Sequence, residues 1–413
     1  MIPRLALAVV VLLAAAPADA DGLLAAFTVL GPEGAVARAV VDGAACPSLQ
    51  VDGKATAMTV RAAADGWFPL VCDALLPAAA LHARIGDRDL PLPKPTARRI
   101  ALFGDSGCRV DARSGEFQVC NDAGGWPFAR TSAEAAALAP DLVIHVGDYL
   151  YRESPCPPGY AGCAGTPSGD AWPAWNADFF APAAKLLAAA PWVMVRGNHE
   201  NCNRSGNGFF RLLDPRPLPP QCVPISDTYR VAAGGLTFFV LDSGEAADVR
   251  PPAPLVERYR PKFAEIGTPP AGSWLLTHRP LWASVRISNV MGLSLVVNDN
   301  ETLQQASGNA LPAGIALVLS GHIHLFEVLS FADRRPPQLV LGTAGSSLSE
   351  AIGTDLTGWQ IAGTTVAYAR TAHVFGVTTM ERQDAGWTMT LRDEAGASLF
   401  VCTIASPNLS CTP

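Results

Sequence analysis

Charge is what this 413-residue sequence has little of: Asp, Glu, Lys and Arg make up 16% of it, against roughly 25% in an average soluble protein. Its 30 basic residues are outnumbered by 37 acidic ones, for a net charge of −7. Without a basic excess, neither nucleic acid nor an anionic membrane surface is an expected partner. Beyond the N-terminus no apolar run is long enough for a transmembrane helix, so no stable membrane anchor is expected. No CxxC pair occurs, which argues against a zinc cluster. Histidine is scarce, with seven in the whole chain. What remains is a chain that is 49% hydrophobic, long enough for two or three domains at about 100–200 residues each.

The N-terminus has the layout of an export signal. Arg4 gives the positive start, Leu5 to Ala16 form a short apolar run, and Ala18-Asp19-Ala20 matches a small-x-small cleavage site. Residues 1–20 are therefore expected to be removed, in the periplasm or on secretion. The ten cysteines agree, because an even number outside metal motifs suits an oxidising compartment. Spacing leaves their connectivity open. Pairing neighbours is the simplest arrangement: Cys46–Cys72, Cys108–Cys120, Cys156–Cys163, Cys202–Cys222 and Cys402–Cys411.

Residues 21–95 alternate short apolar stretches with Asp42-Gly43, Asp52-Gly53 and Asp65-Gly66. Asp-Gly between strand-like runs is a hairpin signal, so a small antiparallel β domain is expected there. Pro91, Pro93 and Pro95 close it as a stiff linker. Residues 96–413 then alternate apolar runs with helical or loop segments, the pattern of an α/β domain. Five runs read as buried strands: Ile100–Phe103, Leu142–Val146, Trp192–Val195, Trp274–Leu276 and Ile315–Leu319. A helix is expected over Ala181–Ala190, with Pro182 near its start and Pro191 behind it.

Each of the five runs stops at polar residues: Gly104-Asp105-Ser106-Gly107, Gly147-Asp148-Tyr149-Leu150-Tyr151, Gly197-Asn198-His199-Glu200, Thr277-His278-Arg279 and Gly321-His322-Ile323-His324. Singly these are ordinary, since Gly-Asp is a common turn and a lone histidine is usually a hydrogen-bonded core residue. Together they place four of the seven histidines just beyond strands. Groups at the carboxyl ends of several strands converge on one crevice. Carboxylate, phenolate, amide oxygen and imidazole suit hard or borderline cations such as Fe(III), Mn(II) and Zn(II), and Asp148 has two oxygens with which to bridge a pair. His145, inside the second run, reads instead as a buried structural residue. Glu200 is a candidate for orienting His199 or a ligand. Arg152, Arg204 and Arg279 adjoin the motifs, and surface solvation is the simpler role for each.

The ordered set GD…GDxxY…GNHE…H…GHxH resembles the calcineurin-like metallophosphoesterases over roughly residues 98–350, and within them the purple acid phosphatases. Most calcineurin-like enzymes carry Asp-x-His at the first motif; here Gly107 stands where that histidine would be. Purple acid phosphatases lack it too and use a tyrosine of the second motif, where Tyr151 sits; Tyr149, two residues earlier, is the competing position. The resemblance implies a four-layer α/β/β/α sandwich and a binuclear centre. In it Asp105, Asp148, Tyr151 and His324 would hold Fe(III). Asp148, Asn198, His278 and His322 would hold a divalent ion (Zn, Mn or Fe). Asn198 and His199 would face the substrate, with His199 as general acid. Two adjacent cations lower the pKa of a shared water and neutralise phosphate oxygens during in-line displacement. The implied activity is hydrolysis of phosphate monoesters. The alternatives are a phosphodiesterase or nucleotidase on the same fold, or a non-catalytic phosphate-binding protein.

Overall fold

The computed structural model describes residues 22–288, 294–298, 300–333, 335–406 and 408–412. The expected export signal over residues 1–20 lies outside them. Strict alternation along the apolar runs decides the architecture. In strand Arg99–Phe103, Ile100 and Leu102 point into a core shared with a second sheet, whereas Ala101 and Phe103 point the other way, toward helices. Strand Ser273–Thr277 does the same in the second sheet: Trp274 and Leu276 face inward and Leu275 faces outward. A strand buried on both faces must be apolar at every position, which is why these runs are continuous.

The outer face of the first sheet is covered by helices Phe128–Ala137 and Ala181–Ala189, through Phe128, Ala135, Leu186 and Leu187. Helices Ala253–Ala264 and Glu301–Ser307 cover the second through Val256, Tyr259 and Leu303. The result is the expected four-layer α/β/β/α sandwich. Its first sheet has eleven strands among the described residues, in the order Asn408–Thr412, Ser398–Ala405, Gly386–Asp393, Gly376–Gln383, Arg99–Phe103, Leu142–His145, Trp192–Met194, Leu23–Gly31, Gly34–Val41, Leu70–Leu75, Thr59–Ala62. The second has eight, and at its centre Leu236–Leu241, Ser273–Thr277, Ile315–Ser320 and Gln338–Leu341 run parallel. Of the five motif-bearing strands, three lie in the first sheet and two in the second. The crevice therefore opens across the rim of two facing sheets rather than along one.

The stretch expected to form its own β domain, 21–95, is built from eight strands and no helix in its described part, but not around a core of its own. Strand Leu23–Gly31 pairs in parallel with Trp192–Met194, so four of its strands prolong the first sheet. Leu30, Ala37 and Leu70 share one core with Ile100, Val193 and Leu276. Of the three Asp-Gly pairs only Asp52-Gly53 closes a two-residue hairpin, between Val51 and Lys54, with positive φ at both positions. Asp65 instead accepts the backbone N–H of Trp67 and Phe68, each at 2.8 Å, which makes a loop. All five disulfides join neighbouring cysteines: Cys46–Cys72, Cys108–Cys120, Cys156–Cys163, Cys202–Cys222 and Cys402–Cys411.

A buried charge group fastens this N-terminal length to the body. Arg38, fully buried, donates to both oxygens of Asp73, at 2.7 and 2.8 Å, and to the Leu212 carbonyl at 3.0 Å. Arg61 reaches Asp73 at 3.2 Å and the Phe210, Arg211 and Arg216 carbonyls. Burial is the largest single influence and opposes the charge on Asp73, but Arg38 and Arg61 together outweigh it and hold the carboxyl below its ordinary range. Asp73→Ala would strand the Arg38 charge in the interior and should cost about 3–5 kcal/mol in denaturant unfolding. A loss under about 1 kcal/mol would mean that the guanidinium finds other partners.

Candidate metal centre

The seven expected ligands, arriving from five strand ends and two sheets, meet at the rim of the sandwich. The Tyr151 hydroxyl lies 3.0 Å from Asp105 Oδ1, 2.7 Å from Asp148 Oδ2 and 2.8 Å from His324 Nε2. Asn198 Oδ1 lies 2.9 Å from His278 Nε2 and 2.8 Å from His322 Nδ1. Asp148 joins the two groups, with Oδ2 also 3.2 Å from His278 Nε2. Tyr149 stays outside the cluster: its ring stacks on His145 at 4.0 Å and its hydroxyl donates to the His145 carbonyl.

The chemistry of the donors calls for cations. His278 Nδ1 sits 2.9 Å from the Val146 carbonyl and His324 Nδ1 2.6 Å from the Ser347 carbonyl. A carbonyl can only accept, so each Nδ1 carries a proton, and a ring without a second proton turns an Nε2 lone pair inward. Those lone pairs face the Asn198 oxygen and the carboxylates of Asp148 and Asp105. Acceptors facing acceptors at such distances repel unless a proton or a metal ion lies between them. Burial disfavours a charged His278, yet Asp148 overrides it and pushes the imidazole up to about 9. Burial, with Asp105 and Asp148 beside it, holds the Tyr151 phenol protonated far above its ordinary range. Only a cation in place of that proton would favour the phenolate.

Local backbone features aim these groups. Asp105, Asp148 and His322 all have positive φ, a conformation costly for side chains other than glycine and typical of functional sites. Gly197 must be glycine, because a Cβ there would stand 2.0 Å from Asp148 Oδ1. The Gly-rich turn after strand Gln338–Leu341 donates from Gly345 and Ser346 to the Asp105 carbonyl. Glu200 does not touch His199 with its carboxylate. It accepts the N–H groups of Asp148, Tyr149, Leu150 and Gly197 at 2.8–3.2 Å and so holds the second motif in shape. Burial, then Asp148, pushes its carboxyl up to about 8.

His199 stands off the ligand cluster, its Nε2 3.9 Å from Asp148 Oδ2 and its ring 3.8 Å from that of Tyr151. Behind it lies Glu153, 2.6 Å from Nδ1, which the motif reading had not singled out. Arg204 holds Glu153 at 2.6 and 2.8 Å, and Arg113 pairs with it as well. Burial is the largest influence on His199 and pushes it down to about 4. Arg279 pairs with Asp248, and both abut His322 Nε2, at 2.7 and 3.1 Å. Arg152 is buried against Asp178 at 2.6 Å, so none of the three motif-adjacent arginines is merely solvated. His145, pushed down to about 3 by burial, bonds Ser106 and the Gly147 amide.

A sandwich whose facing sheets bring carboxylates, imidazoles, an amide and a phenol to one rim is the scaffold of a metal-dependent phosphoric ester hydrolase. Residues 98–326, over half of the sequence, match the calcineurin-like phosphoesterase family, and the chain belongs to that family, whose members use a dimetal centre. Among solved structures it is similar to a purple acid phosphatase, PPD1, from seeds of yellow lupin (Lupinus luteus). The two share 14% identity over 90% of this chain and 72% of that one, with a TM-score of 0.54. It is also similar to PhoD, at 11% identity over 94% of this chain and 91% of that one, with a TM-score of 0.53. No curated protein matches.

Cations bound between these acceptors should stabilise the fold, because binding only to the native state adds to its free energy. Treatment with a chelator should lower the melting temperature by several degrees and refilling with Zn(II) should restore it. Asp148→Asn should abolish the response. A melting temperature indifferent to chelator and metal would contradict the donor geometry.

Proposed function

We propose that this protein is an exported phosphatase of the purple acid type, hydrolysing phosphate monoesters with His199 as general acid. Asp105, Asp148, Tyr151 and His324 would hold Fe(III), and Asp148, Asn198, His278 and His322 a divalent ion, Zn, Mn or Fe. When bound, such a pair supplies Lewis acidity and a lowered pKa for attacking water. The chain's own groups do the rest. Asp148 and Asn198 fix the orientation of the inner donors, and Asn198 and His199 face the bound ester. The carboxylate of Glu153 sits on Nδ1 of His199 and turns Nε2 toward the reacting group, where it protonates the departing alkoxide. Burial lowers this imidazole to about 4, so it carries the proton fully only below about that pH and turnover should fall as the pH rises past it. Five disulfides favour an oxidising compartment, periplasmic or extracellular.

The observation that carries the catalytic reading is His199 itself, buried, with one nitrogen against Glu153 and the other toward the ligand cluster. A phosphate-binding protein needs no such group. His199→Ala should lower kcat by about 10²–10⁴-fold on alkyl phosphates, with a smaller loss on activated aryl phosphates whose leaving groups need little protonation. Equal losses on both, with metals retained, would remove His199 from the acid role. Turnover of diesters alone would favour the phosphodiesterase alternative.

Tyr151 tests the metal assignment separately. A phenolate on Fe(III) gives the protein a visible charge-transfer band, whereas zinc or manganese in both positions leaves it colourless. Tyr151→Phe should abolish the band and weaken iron retention, and Tyr149→Phe should leave both intact. Loss of the band only in Tyr149→Phe, or no band in iron-loaded oxidised protein, would refute it.

A further inference from the structure

We propose that Asp248 is a positioning residue for the divalent ion: its carboxylate accepts the Nε2 proton of His322 and so leaves Nδ1 of that ring to the cation. The inference rests on the ligand assignment in the reading above and adds to it a residue outside the five strand-end motifs. The identity of the ester does not enter.

The three ligand histidines are not held alike. His278 and His324 each donate from Nδ1 to a backbone carbonyl, Val146 at 2.9 Å and Ser347 at 2.6 Å, and turn Nε2 to the cluster. His322 is reversed. Its Nδ1 lies 2.8 Å from Asn198 Oδ1, and its Nε2 lies 3.1 Å from Asp248 Oδ2. A neutral imidazole that binds a metal through one nitrogen carries its proton on the other. At His322 that proton is on Nε2, and Asp248 Oδ2 is the acceptor set beside it. Of the three rings, His322 alone is backed by a carboxylate, which fixes the tautomer and raises the basicity of the ligating nitrogen.

A competing arrangement gives Asp248 its importance. Arg279 Nη1 lies 2.7 Å from the same Nε2, and a guanidinium only donates. An Nε2 that accepted from Arg279 would leave the proton on Nδ1, bonded to Asn198 Oδ1, and close that nitrogen to a metal. Asp248 opposes this twice. It accepts from Nε2, and it pairs with Arg279, engaging the cation that favours the wrong tautomer. The carboxylate is itself anchored. Asn300, fully buried, donates from Nδ2 to Asp248 Oδ1 at 3.0 Å, and the Asp248 carbonyl accepts from Glu301 N–H at 2.7 Å. Beside it the buried Thr302 hydroxyl donates to the Ala247 carbonyl at 2.6 Å. The start of helix Glu301–Ser307 thus holds a residue 74 positions before His322 against its ring.

Titration of the metal-free full-length protein with Zn(II), in competition with a chromophoric chelator, tests it without recourse to activity. His322→Ala and His324→Ala identify the two binding steps, since each removes a ligand of one position. Asp248→Asn keeps the shape and an acceptor oxygen but drops the charge, and should weaken the His322 step about tenfold. Asp248→Ala removes both and should weaken it up to about 100-fold. The step that depends on His324 should stay within twofold in both variants. In a His322→Ala background Asp248→Asn should cost nothing further, because it acts through that ring. A loss that adds in full there would make Asp248 a merely structural residue and overturn the proposal. Unchanged Zn(II) affinity in both Asp248 variants, or equal weakening of the two steps, would overturn it as well. A loss in His322→Ala with none in the Asp248 variants sinks the proposal alone. Zn(II) binding indifferent to His322→Ala, or absent from the wild type, ends the ligand assignment and the proposal together.

Discussion

Two carboxylates kept from water set the terms for everything near the rim. Asp105 and Asp148 are buried to 0% and 1% exposure and approach the same phenol. Removing one such ion from water costs several kcal/mol even after relaxation, and two side by side cost more unless positive charge compensates. The surroundings are arranged as that compensation. Backbone N–H groups of His199 and His322 point at the carboxylates, and three imidazoles turn a nitrogen toward the cluster. Anchoring follows from the same need, because a donor displaced by an ångström no longer compensates. Hence the five loops leave rigid strands, and Glu200 pins the backbone of the second motif from below.

Much of this site was legible before any coordinates, because its residues follow strand ends and lie within short motifs. The strands themselves were legible because burial on both faces makes them continuous apolar runs; Trp192–Met194 and Ser273–Thr277 coincide with theirs to within a residue or two. Glu153 was not. A single glutamate in a Pro-rich loop has no pattern, and its role arises from Arg204 and His199, some fifty residues away, folding against it. Asp248 escaped for the same reason, as a lone acid far from His322 in sequence. The cue available was position: Glu153 stands two residues beyond Tyr151, and only the direction of the loop decides where its side chain goes.

The N-terminal length shows the opposite limit. Its strands were legible as strands, but their partner was not, since alternation records that a face is buried and not what covers it. The parallel pairing of Val29 with Trp192 is a long-range fact without local trace. Likewise an Asp-Gly pair reads as a hairpin unless the aspartate binds the backbone ahead of it, as Asp65 does. The local disulfides were easier, because a short loop needs little to bring its ends together.

The first sheet also says something about how the molecule comes to exist. Strand Arg99–Phe103, which delivers Asp105, has the local Leu142–His145 on one side and, on the other, Gly376–Gln383, with Leu102 beside Thr378. Its second neighbour therefore belongs to the far end of the chain. Until that end has been made, the strand is an open edge able to pair with a foreign strand, and closure must await contacts of very long sequence separation, which form slowly. The strand that delivers Asp105 thus depends on a partner some 280 residues further along the chain.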